Sequence, residues 1–229
     1  MLVIFMGRSA VGKDTIQKEL AENGIEKVVT ATTRAMREGE QDGKDYHFMT
    51  NDEFDKLKEQ DGFVEHTEFN GVQYGCPKSS IDPQKDQCII LEPEGVRNFI
   101  NAFGRENLFI VVMELDESIR RARAEARGSF SEEAWYDRCA SDDKRFDKET
   151  VNELANFHMN LNLGNTSITT AMTLTYLTDA LNAYKSADRE AGEHYVVGAV
   201  GVDTYTVLPI REVENSFNDY MLDDGIVPF

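Results

Sequence analysis

Unbroken apolar runs occupy Leu2–Met6, Cys88–Leu91 and Leu108–Leu115, and each gives way to residues with helical spacing. Runs without polar alternation suit strands buried on both faces, so this order predicts a parallel sheet wrapped by helices, an α/β fold. The stretch from Thr30 to Lys85 is polar and dotted with glycine. It is too long for a simple crossover and too patterned for disorder, which predicts a small inserted subdomain. Residues 116–148 are dense in charge of both signs, as a solvated helical face would be. Ile168, Ala171, Met172, Leu174, Leu177, Leu181 and Tyr184 then return at helical spacing and predict a helix that packs back on the sheet. The main domain is expected over 1–185, with an extension over 186–229. In that extension, His194–Val202 and Tyr205–Ile210 read as two strands, and Glu212–Leu222 as a helix before an acidic tail.

Chemistry enters with GRSAVGKDT, Gly7 to Thr15, which directly follows the first strand and opens a helix. That is the context of a Walker A loop, the phosphate-binding turn of P-loop NTPases. Gly7 and Gly12 permit the turn. The backbone N–H groups of Arg8, Ser9, Ala10 and Val11 can surround nucleotide phosphates, the helix N-terminus adds positive potential, and Lys13 neutralises charge between the β- and γ-phosphates. Asp14 stands where the usual loop has a hydroxyl that helps hold Mg²⁺. Its carboxylate either ligates Mg²⁺, directly or through water, or is tolerated as an N-terminal helix residue while Thr15 supplies the hydroxyl.

Composition narrows the partners. Lys and Arg number 24 against 42 Asp and Glu, a formal charge of −18. Such a chain repels nucleic acid and anionic membranes, and any phosphate it takes must meet a local basic cluster. Cys76, Cys88 and Cys139 form no CxxC pair, which fits reduced thiols and a cytoplasmic location. Met1–Met6 is too short for a signal sequence or a membrane span. No internal repeat or low-complexity tract is present.

A phosphate loop names no acceptor, so the insertion decides. It contains TTRAMREGEQDGKDYHF, Thr32 to Phe48, and GFVEHTEFNGVQYG, Gly62 to Gly75. In this order behind the loop, the two segments resemble the GMP-binding region of guanylate kinases, and the likeness extends to about Tyr184. The resemblance implies a P-loop NTPase-type sheet with a GMP-binding insertion over 33–85 and a helical lid over 116–148. It implies that Arg34, Arg37 and Tyr46 hold the GMP phosphate, which suits the paired acceptors of a phosphate. Glu40 would order that arginine-bearing loop, with Asp45 and His47 structural. Glu65 matches the glutamate that reads guanine: a carboxylate accepts from N1–H and the exocyclic amine together, whereas adenine's N1 is itself an acceptor. Tyr74 matches a signature tyrosine, and Cys76 puts a thiol where the family has a hydroxyl. Glu92 falls where the family has an acidic residue near acceptor and metal; an ordinary strand-end carboxylate is the competing reading.

In the lid, Arg127, Gly128 and Ser129 match an RGT-like turn, and Arg138 matches a further arginine. Of Arg120, Arg121 and Arg123, at least two are expected to face solvent or form i,i+4 pairs. The implied reaction is phosphoryl transfer from ATP to GMP with Mg²⁺, with Lys13, Arg127 and Arg138 stabilising charge on the migrating group. Closure would exclude water, and no general base is needed. Whether dGMP also serves is left open. Two alternatives stand beside this: a related kinase with the GKD of Gly12–Asp14 that phosphorylates a ribose bisphosphate, and a non-catalytic guanylate-kinase-like module that binds a phosphopeptide.

Overall fold

The structure is a computed structural model that describes residues 1–69, 71–128, 130–163, 166–186, 195–199 and 205–209. The expected helix over Glu212–Leu222, Ser129 of the RGT-like turn and most of the 186–229 extension lie outside the described residues. The chain divides into two compact units: Met1–Met6 with Gly12–Leu108, and Gly7–Val11 with Phe109–Phe229.

In the first unit, β1 (Leu2–Met6) is buried at every residue. It pairs in parallel with β7 (Gln87–Ile90), which pairs in parallel with β2 (Glu26–Lys27). Burial on both faces is what its unbroken apolar run requires. Helix α1 (Lys13–Glu22) turns Ile16, Gln17 and Leu20 inward, and the buried Gln17 amide donates to the Cys88 carbonyl at 3.2 Å. The insertion builds a second sheet in the order β4-β3-β6-β5, from His47–Phe48, Ala31–Thr32, Val72–Pro77 and Phe63–Phe69. Helix α2 (Asn51–Glu59) begins with a capping box, in which the Thr50 side chain accepts from Glu53 N–H while the Glu53 carboxylate accepts from Thr50 N–H. It sends Phe54 against Phe63, rings stacked at 4.4 Å, beside Ala31, Met49 and Leu57. The insertion thus has its own small core, which holds β5 and β6 in place. Helix α3 (Pro93–Phe103) follows β7 and lies beside β5.

In the second unit, β8 (Leu108–Glu114) runs parallel to β9 (Phe157–Asn160). The fully buried Asn156 pins this pair: its Oδ1 accepts from Ile110 N–H, and its own N–H donates to the Ile110 carbonyl, each at 2.8 Å. The charged segment forms α4 (Glu117–Ala126) and α5 (Glu132–Arg145), followed by the short α6 (Lys148–Leu154). Helix α7 (Thr170–Ser186) buries Leu177, Leu181 and Tyr184 as its spacing predicts, and Tyr184 meets Phe109 at 5.1 Å between ring centres. Beyond it, Tyr195–Ala199 and Tyr205–Pro209 pair as antiparallel strands, close to the expected positions. Parallel strands flanked by helices make this an α/β fold. Among the described residues, no helix is long and apolar enough to cross a membrane.

Candidate active site

The phosphate loop has the backbone its glycines suggest. Gly7 is buried with φ 150°, and a Cβ there would lie 2.5 Å from the Met113 carbonyl oxygen, so only glycine fits. Ala10 at φ 62° and Gly12 at φ 114° also occupy the left-handed region, a backbone used in anion-binding turns. No side chain caps the start of α1 at Gly12. Lys13 is half-buried at the first helical position, and Asp14 and Thr15 are exposed in the same turn.

The arginines of α4 depart from expectation. Only Arg121 forms an i,i+4 pair, with Glu125; it also reaches Glu132. Arg120 is buried and donates to the carbonyls of Leu115 at 3.0 Å and Ser9 at 3.2 Å. Arg123 donates to the Val11 carbonyl at 2.6 Å and to Ser167 Oγ at 2.8 Å. Two of the three therefore hold the phosphate loop, because a loop with carbonyls turned outward needs buried donors to satisfy them. From α5, the Asp142 carboxylate accepts from Ser9 N–H at 2.7 Å, and Arg8 pairs with Asp143 and donates to the Phe146 carbonyl. Helical spacing alone could not single out Arg120 and Asp142, since each sits in a run of similar charges. Arg127 and Arg138 are exposed. Beside Gly7 and Arg8 the second unit encloses a cavity of about 280 Å³, also lined by Glu114, Asp116, Asn160 and Asn162. Burial pushes the Glu114 carboxyl above its ordinary value, with Arg8 and Lys148 opposing.

In the first unit, Arg34 and Glu40 form a two-pronged pair at 2.7 and 3.0 Å, and Glu40 also accepts from Arg37 N–H at 2.7 Å. These bonds, the Arg34 side chain's first and then Arg37's backbone, hold the Glu40 carboxyl down at about 2. Glu40 thus ties the Arg34 side chain to the Arg37 backbone. The Arg34 guanidinium lies 5.5 Å from the Tyr46 ring centre, and Tyr46 meets Tyr74 edge-on at 6.4 Å. Burial raises the Tyr46 phenol, keeping it a hydrogen-bond donor. Arg37 is exposed. Lys27, which carries no sequence motif, stands 5.3 Å over the Tyr46 ring and donates to the Asp45 carbonyl. Asp45 and His47 are structural as expected: Asp45 accepts from Gln41 N–H, and His47 Nε2 meets Ser80 Oγ at 3.3 Å.

Glu65 of β5 sits opposite Cys76 of β6, whose backbone N–H donates to its carboxylate. Its side chain packs by Gly95 of α3, where a Cβ would come within 3.7 Å of Glu65 Cγ. Cys76 is fully buried, its thiol pushed up by burial and by Glu65. Tyr74 and Cys76 are two residues apart on β6 and so share a face. Glu92 is exposed at the N-terminal flank of α3 without capping it. Burial raises Glu65 to about 7 against the Cys76 bond, which lowers it. The folded protein thus holds a proton that the unfolded chain releases near 4.5, and stability is lost as pH rises from 4.5 to about 7. For the guanine-reading role that the resemblance implies, the dependence runs the other way, because only the ionised carboxylate accepts from both guanine donors. The kcat/KM for GMP is expected to climb about tenfold per pH unit below 7 and level off above it, a limb missing in Glu65→Gln. A profile with the same limb in both proteins would contradict this.

Comparisons with known proteins point to one family. The family model described as guanylate kinase matches residues 1–149. The guanylate kinase of Lactococcus lactis subsp. lactis is 34% identical over 139 residues, covering 58% of this chain and 67% of that protein. The guanylate kinase of Parasynechococcus marenigrum is 37% identical over 140 residues, covering 58% of this chain and 76% of its own. In fold, the chain is similar to the crystal structure of guanylate kinase from Anaplasma phagocytophilum, with TM-score 0.60 and 22% identity, over 82% of this chain and 87% of that one.

Proposed function

The chain belongs to the guanylate kinase family, and from that premise we propose how its residues move the terminal phosphoryl group of ATP to GMP. The reaction is ATP-dependent phosphorylation of a nucleoside monophosphate. The observation that carries the guanine assignment is the half-buried Glu65 carboxylate, oriented by Cys76 N–H and set beside α3. Residues 33–85 form the acceptor-binding insertion, 116–148 the lid and 186–229 an extension to the kinase domain.

Arg34, Arg37 and Tyr46 bind the GMP phosphate, with Glu40 holding both arginines in register. Tyr74 flanks Tyr46, and Cys76 supplies backbone rather than thiol to the guanine subsite, since its thiol is fully buried. Glu92, exposed at the start of α3, is a second carboxylate on the acceptor side. On the donor side, the phosphate loop from Ala10 onward and the Lys13 ammonium take the ATP phosphates. The polar cavity beside Gly7 and Arg8, with the amides of Asn160 and Asn162, suits the donor's nucleoside part. Arg127 and Arg138, exposed and unburdened by burial, neutralise charge on the migrating group. Charge dispersal and in-line placement suffice for a loose transition state. Mixing the protein with ATP and GMP should give ADP and GDP in equal amounts; absence of GDP would refute the proposal.

Among the described residues no group of three or more His, Cys, Asp or Glu side chains gathers to hold a metal. The exposed Asp14 carboxylate in the first turn of α1 nevertheless fits Mg²⁺, which is commonly held by one or two carboxylates together with substrate phosphates. Bound there with ATP, Mg²⁺ would offset phosphate charge. Asp14→Ala should raise the Mg²⁺ concentration for half-maximal activity about five- to tenfold, and Asp14→Ser should fall between it and the wild type. Identical titrations for all three would show that Asp14 turns away from the metal. Three free cysteines and a charge of −18 support a reducing cytoplasm and small nucleotides rather than nucleic acid or membrane as partners.

A further inference from the structure

The pair Arg120 and Asp142 has no part in the reaction as described, yet both side chains are buried, at 4% and 6% exposure. Opposite charges removed from water gain little from each other alone, so their geometry must satisfy other groups. Both side chains do so at Ser9. Asp142 Oδ2 accepts from Ser9 N–H at 2.7 Å, and Arg120 Nη1 donates to the Ser9 carbonyl at 3.2 Å. The two charged groups stand 3.9 Å apart, so each lies closer to Ser9 than to the other. Arg120 is itself fixed, through Nε to the Leu115 carbonyl at 3.0 Å and by the buried Trp135 ring, whose centre is 5.7 Å away.

We propose that Arg120 and Asp142 are positioning residues for the donor phosphates, acting through Ser9. They hold Ser9 by its N–H and its carbonyl at once, which fixes the peptide planes on both sides of it. The turn that follows begins with Ala10 at φ 62°, so the orientation of the remaining loop N–H groups is inherited from Ser9. Occupation by Asp142 also withdraws Ser9 N–H from any phosphate, and the phosphate-facing amides begin at Ala10. A loop ordered beforehand binds its ligand without having to lose that freedom on binding. The inference rests on Gly7–Thr15 being the ATP loop. It makes no claim about the acceptor.

The test compares KM for ATP and for GMP in Asp142→Ala, Asp142→Asn and Arg120→Lys, with thermal midpoints and a calorimetric Kd for ATP. Asp142→Ala should raise KM and Kd for ATP about tenfold while KM for GMP stays within about twofold, as expected when a hydrogen bond to a charged acceptor is lost. Asp142→Asn keeps an oxygen for Ser9 N–H and should recover most of the ATP affinity. If Asp142→Ala does not fold, Arg120→Lys decides: lysine retains the charge but cannot reach the Leu115 and Ser9 carbonyls together, and should show the same selective rise. Parallel changes in both KM values, or an unchanged KM and Kd for ATP in the folded variants, would overturn the proposal. A wild-type protein that binds ATP but makes no GDP would instead overturn the guanylate kinase reading, while the calorimetric arm would still judge the role of Ser9.

Discussion

Lys13→Ala should fold as the wild type does and lose about three orders of magnitude in turnover. Lys13 opens α1, where alanine is a good helix former and the side chain supports no buried core. The thermal midpoint should therefore barely move. Its ammonium is the one side-chain cation carried by the loop's helical end, directly after the left-handed Gly12 and in the turn whose N–H groups no side chain caps. Charge that develops between the β- and γ-phosphates loses its nearest fixed neutraliser when Lys13 is removed, and the arginines of 116–148 do not replace it. Single-turnover measurements on the purified variant, with circular dichroism as the folding control, would check this. A folded Lys13→Ala with wild-type turnover would contradict the assignment of Gly7–Thr15 as the ATP loop.

Glu65→Gln should lower kcat/KM for GMP by about 10- to 100-fold, the cost of setting a donor against a donor in a site shielded from water. Cys76 N–H must still find an acceptor, so the glutamine oxygen is drawn to it and the amide nitrogen is left facing the base. Guanine N1–H and the exocyclic amine then meet an N–H₂ group. KM for ATP should not change, since Glu65 lies in the acceptor insertion. Stability should rise slightly above pH 7, because glutamine removes a buried carboxylate that the fold disfavours in its charged form. Steady-state kinetics with each substrate varied in turn measures both effects. Equal losses for ATP and GMP would point to a folding defect instead.

Much of this arrangement was legible in residue order. The strands at Leu2–Met6 and Leu108–Glu114 announce themselves because burial on both faces demands an unbroken apolar run. The loop at Gly7 was legible because a close approach to the Met113 carbonyl admits only glycine. Likewise Glu40 was marked by the family resemblance, and the bonds it makes are local, within six residues. What the sequence hid depends on long-range partners. Ser9 and Asp142 are 133 residues apart, and Arg120 looks like its neighbour Arg121 until the helix turns one inward and the other to Glu125. Lys27 beside Tyr46 belongs to a two-residue strand with no pattern of its own. Nor could the sequence tell that the Cys76 thiol is fully buried while its N–H serves Glu65.

In the proposed reaction, this chain phosphorylates a guanine nucleotide because Glu65 reads the base. The direct test is the ratio of kcat/KM for GMP to that for AMP, with ATP as donor, measured side by side in one coupled assay. A site built to pair with guanine donors leaves its carboxylate facing an acceptor when adenine enters, and such mismatches cost roughly four orders of magnitude in selectivity. GDP formation with GMP and a ratio of at least about a thousand are expected. A ratio near one, or phosphorylation of AMP in preference to GMP, would contradict it.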